Sequence, residues 1–251
     1  MYISLSMIKN KVSKGKLIPL YKLFPSFITI TALCMGITAV RYGLDGKFHI
    51  SATLIIMACF MDWLDGYVAR SLNAASEFGA QLDSLADLIS FGVAPGIVVY
   101  LWSLHSISYK GIGWAIVLIY ISCAALRLAR FNTNNTQQTS KLSSKFFTGI
   151  PMPAAAGLCL TPMILTFKII SYEPHAMLVA FYTSIVGALM VSRVPTFAIK
   201  NVKINQKYIS LLLILIAIFI ASILLEPWIM IPLLALIYLA SIPVSIFFSK
   251  K

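Results

Sequence analysis

Four aspartates, Asp62, Asp65, Asp83 and Asp87, make up half of the eight acidic residues in a chain of 251. Their spacing is D-x-x-D-G-x-x-A-R-x8-G-x3-D-x3-D. Residues three and four apart share a helix face. Asp62, Asp65 and Gly66 therefore lie together, with Arg70 one turn beyond Gly66. Asp83 and Asp87 share a face of a second helix. The stretch 71–76 between them reads as a turn, with Asn73 or Ser76 available as N-cap. Folded as a hairpin, the two helices point four carboxylates at one another. Carboxylates that close repel unless a cation lies between them. Oxygen ligands with no His or Cys suit magnesium, manganese or calcium rather than zinc. The plainer alternative is a set of Asp–Arg pairs that fix helix packing, with Arg70, Arg127 and Arg130 as cations. Such pairs would not require a glycine at 66 or a rigid spacing.

The elements that must position these side chains are apolar. The chain is 59% hydrophobic and 11% charged, under half the charge content of an ordinary soluble domain. Apolar stretches of about twenty residues recur, the length that spans a bilayer. The sequence predicts an all-α polytopic membrane protein with about eight transmembrane helices. They fall at 25–42, 48–69, 80–104, 112–131, 147–169, 175–193, 208–225 and 228–248, with a polar loop from 132 through Lys145. Tyr172-Glu173-Pro174 and Glu226-Pro227 are breaks where proline ends a helix. Residues 1–24 form a basic juxtamembrane segment carrying Lys9, Lys11, Lys14, Lys16 and Lys22, and 25–251 form one transmembrane domain. The basic segment reads either as an amphipathic stretch on the membrane surface or as a topogenic tail. No removable signal peptide is expected.

The net charge of +12 admits nucleic acid as a partner, but its distribution points to a membrane instead. With the N-terminus in the cytoplasm, sixteen of the twenty Lys and Arg fall on that side. Only Arg41, Lys47, Lys110 and Lys168 fall outside. This is the positive-inside asymmetry, and the basic loops attract anionic lipid. An even number of spans leaves both termini cytoplasmic and the aspartates near the cytoplasmic ends of spans two and three. Carboxylates inside a membrane are costly and invite a functional reading. Cys34, Cys59, Cys123 and Cys159 stand apart with no C-x-x-C pair, and read as small buried hydrophobes. His49, His105 and His175 fall near the outer side and read as interfacial residues.

The stretch from Asp62 to Asp87 fills every position of the signature of the CDP-alcohol phosphatidyltransferase family, which it resembles. Its continuation, Ser76-x-Phe78-Gly79-x-x-Leu82-Asp83-Ser84-Leu85-Ala86-Asp87 and then Ser90-Phe91-Gly92-Val93-Ala94-Pro95, is similar to the phosphatidylserine synthase branch. So are Arg127-Leu-Ala-Arg130-Phe131-Asn132, Phe147-Thr-Gly149-Ile150-Pro151-Met-Pro153-Ala, and Met190-Val-Ser192-Arg193-Val-Pro195 with Lys200. The resemblance implies a transferase in which the hydroxyl of L-serine attacks the phosphate of CDP-diacylglycerol and CMP leaves. It implies a divalent cofactor, Mg2+ or Mn2+, as two ions held by Asp62, Asp65 and Asp83. Asp87 would complete the second ion site and accept the proton of the incoming hydroxyl.

The same resemblance assigns CDP-diacylglycerol to Thr29, Gly66, Ala69, Arg70, Ser76 and Gly79. Gly66 and Gly79 would let a flat base or ribose approach the backbone, and Ala69 would do so by being small. Arg70 would pair with a phosphate. Ser76 would donate to the same group or simply cap a helix. Span one opens Phe24-Pro25-Ser26-Phe27-Ile28-Thr29 where the family pattern is P-N-x-x-T, so Thr29 matches and Ser26 replaces the Asn. L-serine is assigned to Arg130, by a bidentate guanidinium–carboxylate contact, and to Asn132. For each arginine the plain alternative is an anchor that snorkels to the interface. A homodimer in the inner membrane of a bacterium is also implied. Two other readings compete. A sister enzyme would take glycerol 3-phosphate or inositol phosphate, and these dianions need a larger cationic cluster. A divalent-cation carrier would spread its acids through the membrane depth and often show paired repeats.

Overall fold

The computed structural model describes residues 20–109, 111–137, 146–169, 174–192, 195–197, 214–215, 217–218, 221–223 and 225–249. A short turn of 3-10 helix, Leu20–Leu23, leads into α1 (Phe24–Leu44) and α2 (Phe48–Ser71). Next comes α3 (Glu77–Asp87), which passes through a π-helical segment, Leu88–Val93, into α4 (Ala94–Trp102). Then follow α5 (Ile112–Gln137), β1 (Phe146–Thr148), α6 (Met152–Lys168), α7 (Ala176–Val191), β2 (Pro195–Phe197) and α8 (Pro227–Ser249). Four stretches are long and apolar enough to cross a membrane: Tyr21–Leu44, Phe48–Ser71, Glu77–Trp102 and Ile112–Thr133. Three shorter apolar helices are Met152–Lys168, Ala176–Val191 and Pro227–Ile242. This is a helical bundle consistent with a multi-pass membrane protein. The expected span 208–225 lies mostly outside the described residues, as do Lys9, Lys11, Lys14, Lys16, Arg193 and Lys200.

The first two helices pack by small residues. The buried positions of α1 are Pro25, Thr29, Ala32, Gly36, Ala39 and Gly43, in alternating steps of four and three. Those of α2 are Ser51, Ala52, Ile55, Ala58 and Asp65. Small side chains let membrane helices approach closely and collect van der Waals contact where no water is available to drive association. Ser51 uses the approach to donate its hydroxyl to the Ala39 carbonyl at 2.6 Å. Large apolar side chains of the same helices, among them Phe27, Phe60, Trp63 and Tyr67, are exposed. The outer surface is thus suited to acyl chains, and the interior is reserved for close backbone contact and polar groups.

The α2–α3 connection explains itself residue by residue. Asn73 takes a left-handed φ of 48°, a conformation its short polar side chain tolerates. Ser76 is the N-cap of α3, its Oγ accepting from the Gly79 N–H at 3.0 Å; such a cap contributes about 1 kcal/mol. Two boundaries depart from the sequence expectation. Helix α5 continues through Gln137 rather than yielding to a loop at 132; in this last stretch the Thr133 hydroxyl lies 3.1 and 3.0 Å from the Ala129 and Arg130 carbonyls and turns its one proton back onto the helix. The fifth span begins at Met152, not 147. Phe146–Thr148 instead pair antiparallel with Pro195–Phe197. Gly149 has a φ of 79° and Pro151 precedes the helix, and neither geometry continues a helix backwards. The ribbon ties the start of α6 to the end of α7.

At the end of α2 remote from its aspartates, His49 stacks on Phe167 with centroids 3.7 Å apart, and Trp228 meets both edge-on. An exposed Lys168–Glu226 ion pair lies at the same junction of α6 and α8. Exposed pairs of this kind contribute little; the ring cluster is what joins α2, α6 and α8.

Candidate active site

The hairpin of α2 and α3 brings three carboxylates together. Oxygens of Asp62, Asp83 and Asp87 all lie within 4.8 Å of one another. The four-residue step from Asp83 to Asp87 within α3, and the short turn that returns α3 against α2 at Asp62, produce this convergence. Asp65 sits apart from the trio. It is buried, 5% exposed, and the Thr29 hydroxyl donates to its Oδ2 at 2.5 Å. A hydrogen bond to a charged group contributes about 1.5–3 kcal/mol, and leaving such a group bare costs more. Thr29 also lies 3.1 Å from the Pro25 carbonyl, but one hydroxyl has one proton, and the shorter contact to the carboxylate takes it.

A pocket of about 170 Å³ opens beside Asp65 and Asp83. Of the six positions assigned to CDP-diacylglycerol, Thr29, Gly66, Ala69, Ser76 and Gly79 line it. Arg70 is not on its wall but adjoins Gly66, where an added Cβ would find only the Arg70 Nη2, at 3.9 Å. No protein packing therefore requires a glycine at 66, and the space beside it is part of the pocket. Gly79 differs, since a Cβ there would come within 3.0 Å of the Ser76 Oγ and disturb the cap. The Ser76 hydroxyl is engaged in that cap, which is the plainer of its two expected roles. Pro25, Ser26, Ala74, Ala75 and Ala80 complete the wall. Sequence reasoning set Ser26 aside because it replaces an Asn. The small residues Ala74 and Ala75 beside the turn were a readable signal of a cavity.

The two residues expected at L-serine diverge. Arg130 donates from Nη1 to the Val191 carbonyl at 2.7 Å, closing the end of α7. Asn132 reaches α3, where its amide donates to Ser84 Oγ at 3.1 Å and its Oδ1 lies 3.3 Å from the same hydroxyl. Ser84 follows Asp83 directly, so Asn132 braces the aspartate-bearing helix. Arg127 stands one turn before Arg130. Its Nε is buried without a hydrogen-bond partner, although Asp87 leads directly into the segment that packs against α5. The two form no ion pair: among the described residues the only salt bridge within 4.0 Å is Lys168–Glu226. The Asp–Arg pairing considered from sequence is thus absent among the described residues, and the carboxylate trio is a group that could hold a metal ion.

The histidines keep to plain roles. His175 caps α7, its Nδ1 accepting from the Met177 N–H at 3.3 Å. His105 lies 3.3 Å from the Tyr100 carbonyl, and His49 stacks in the ring cluster.

The open space at Gly66 makes a two-sided prediction. Gly66→Ala should keep or raise thermal stability, since replacing an interior helix glycine by alanine gains roughly 0.5–1 kcal/mol. It should weaken binding of a cytidine nucleotide in the pocket. Thermal unfolding and calorimetric titration with CDP, on the same detergent-solubilised sample, read the two effects separately.

Comparison with known proteins bears on the same region. Residues 22–190 match the CDP-alcohol phosphatidyltransferase family, and residues 207–243 match the family described as CDP-alcohol phosphatidyltransferase 2. A CDP-diacylglycerol–serine O-phosphatidyltransferase of Mycobacterium leprae is 34% identical over 227 residues, 90% of this chain and 75% of that protein. The Helicobacter pylori (strain 26695) protein of the same name is 36% identical over 212 residues, 83% of this chain and 84% of its own. The Bacillus subtilis one is 39% identical over 170 residues, 68% and 87%. With the signature aspartates converging across a helix hairpin and the match running over most of its length, the chain belongs to the CDP-alcohol phosphatidyltransferase family.

Proposed function

We propose that this protein is a membrane transferase that moves the phosphatidyl group of CDP-diacylglycerol to the hydroxyl of L-serine, giving phosphatidylserine and CMP. The observation that carries the reading is the pocket lined by Thr29, Gly66, Ala69, Ser76 and Gly79, continuous with Asp65 and Asp83. It is supported by relatives named for this reaction that cover most of the chain.

The donor set fits a hard divalent cation: carboxylate oxygens only, from two helices, with no pairing arginine among the described residues. Asp62, Asp65, Asp83 and Asp87 would hold it, and we propose Mg2+ or Mn2+, as two ions. When bound, such ions neutralise the pyrophosphate and polarise the phosphoryl group under attack. The protein's own residues supply the rest. The pocket holds the cytidine nucleotide against Gly66 and Gly79, with Arg70 beside Gly66 for a phosphate. The serine hydroxyl oxygen bonds to the diacylglycerol phosphate, the bond from that phosphorus to the CMP oxygen breaks, and the hydroxyl proton passes to the Asp87 carboxylate. CMP leaves as an anion and needs no proton. The serine carboxylate needs a cation near Asp87. Arg130 and Asn132 are the proposed contacts, although Arg130 already donates to the Val191 carbonyl and Asn132 to Ser84; Arg127, whose Nε is buried without a hydrogen-bond partner, is a third candidate.

The placement in the membrane is part of the proposal. We propose eight spans over residues 25–251, from the apolar stretches, with both termini and the basic segment 1–24 in the cytoplasm of a bacterium, from the charge asymmetry and the family resemblance. This puts the pocket where a water-soluble acceptor can reach it. A homodimer in the inner membrane completes the picture. A cysteine introduced at Lys110 should react with an impermeant maleimide added outside intact cells, and one at Lys141 should not; the reverse pattern would invert the topology.

The acceptor is tested with purified protein, CDP-diacylglycerol and a panel of alcohols. CMP release should require L-serine and fail with glycerol 3-phosphate or inositol phosphate. Robust product with either phosphorylated alcohol and none with serine would replace this reading by that of a sister enzyme. Metal uptake into vesicles without CMP release would replace it by a carrier.

A further inference from the structure

The second pair of aspartates is followed at once by a break in helix geometry. Helix α3 ends at Asp87, and Leu88–Val93 run as a π-helix before α4 resumes at Ala94. The Ala94 N–H bonds the Ile89 carbonyl, five residues back. A π turn takes in one residue more than an α turn, and single π turns occur mostly at functional sites. The cause is legible in the sequence. Pro95 has no N–H, so the Phe91 carbonyl, four residues earlier, loses its ordinary helical donor. Tyr120 on α5 replaces that donor: its hydroxyl gives a hydrogen bond to the Phe91 carbonyl at 3.1 Å, and the residue is completely buried.

Two neighbours seat the same turn. Ser90 donates its hydroxyl to the Ala32 carbonyl of α1 at 3.2 Å. Gly36 makes room for it, since a Cβ there would lie 2.6 Å from the Ser90 Oγ and 2.8 Å from its Cα. On the other side a Cβ at Gly92 would lie 3.0 Å from that of Ala124. The turn is clamped between α1 and α5. Each residue of an α-helix advances about 100° around the axis. One residue absorbed in the turn therefore resets the face that Asp83 and Asp87 present relative to the packing face of α4.

We propose that Tyr120 is a positioning residue for the metal site: by holding the Phe91 carbonyl it maintains the π turn that aims Asp83 and Asp87 at Asp62. Tyr120 touches no substrate and acts only through the backbone of the helix that carries the two carboxylates. This inference rests on the metal-binding reading of the aspartates.

The test is direct binding of Mn2+ to the purified protein, followed by the electron paramagnetic resonance signal of the free ion, with thermal unfolding run in parallel. Wild type should bind Mn2+, and Asp83→Asn should not. Tyr120→Phe keeps the ring and loses the hydrogen bond. It should weaken Mn2+ binding by about two- to tenfold, the range that one hydrogen bond allows. Tyr182→Phe, which removes another buried tyrosine hydroxyl from α7, should leave it unchanged. The double variant Pro95→Ala/Tyr120→Phe returns a backbone N–H to the Phe91 carbonyl and lets an ordinary α turn close. Its thermal stability should recover while its Mn2+ affinity stays low. That split separates positioning from stability, and the double variant carries the test if Tyr120→Phe alone does not fold. Wild-type Mn2+ affinity in folded Tyr120→Phe, or affinity that simply follows thermal stability through both variants, would overturn the role of Tyr120 and leave the metal site standing. Absence of Mn2+ binding by wild type, or unchanged binding by Asp83→Asn, would remove the metal reading and this inference with it.

Discussion

Three carboxylates with oxygens inside 4.8 Å are the constraint on which the rest of this structure turns. Two unit charges 4 Å apart repel by about 4 kcal/mol even at an effective dielectric of 20. The trio has three such pairs, on two helices whose other charged residues are Asp65, Arg70 and Glu77. No arginine or lysine relieves the repulsion by ion pairing among the described residues. A fold that holds Asp62, Asp83 and Asp87 together regardless offers a group of carboxylates that could take a cation. Asp65 is managed differently: a hydrogen bond from Thr29 of the neighbouring helix satisfies one of its oxygens.

The packing serves that constraint. A stripe of small residues on α1 brings its backbone against both α2 and the π turn, and this closeness is what lets Thr29 reach Asp65 and Ser90 reach Ala32. Tyr120 closes the turn from α5, Asn132 braces α3 at Ser84, and Arg130 fixes the end of α7. Each of these polar contacts crosses between helices where water is scarce. An unmade hydrogen bond is expensive there, so each contact strongly favours one rotational setting of its helix. Rigid carboxylates beside an open pocket are what an in-line phosphoryl transfer needs, since such chemistry relies on positioning and charge stabilisation more than on covalent participation.

Much of this was legible in the sequence. The aspartate spacing, read at 3.6 residues per turn, anticipated a convergence of four carboxylates, of which Asp62, Asp83 and Asp87 meet and Asp65 does not, and apolar length placed α1, α2 and α5 close to their observed starts. Asn73 and Ser76 were the two N-cap candidates by type and position, and Ser76 is the one that caps α3. What could not be read was of two kinds. Some depended on partners distant in the chain: the donation from Thr29 that sets Asp65 apart, the capture of Arg130 by Val191, and the unpartnered Nε of Arg127. Nothing in Arg127-Leu-Ala-Arg130 says which guanidinium is engaged. The rest was a change of helical period. The π turn hides inside an apolar run, where hydrophobicity has no phase to lose, and Pro95 was its single visible mark. The ribbon of Phe146–Thr148 with Pro195–Phe197 was hidden for a similar reason, each strand being only three residues long.

The central claim is that the aspartates exist to hold divalent cations between α2 and α3. Diffraction from crystals grown with Mn2+ and CDP, recorded at the manganese absorption edge, tests it most directly. The account predicts anomalous peaks between the two helices, at ordinary metal–oxygen distance, about 2.0–2.2 Å for ions of this class, from carboxylates of the Asp62, Asp83 and Asp87 cluster, with the nucleotide against Gly66. A well-ordered map with no such peak, and with the Arg127 or Arg70 guanidinium lying among the carboxylates instead, would contradict it.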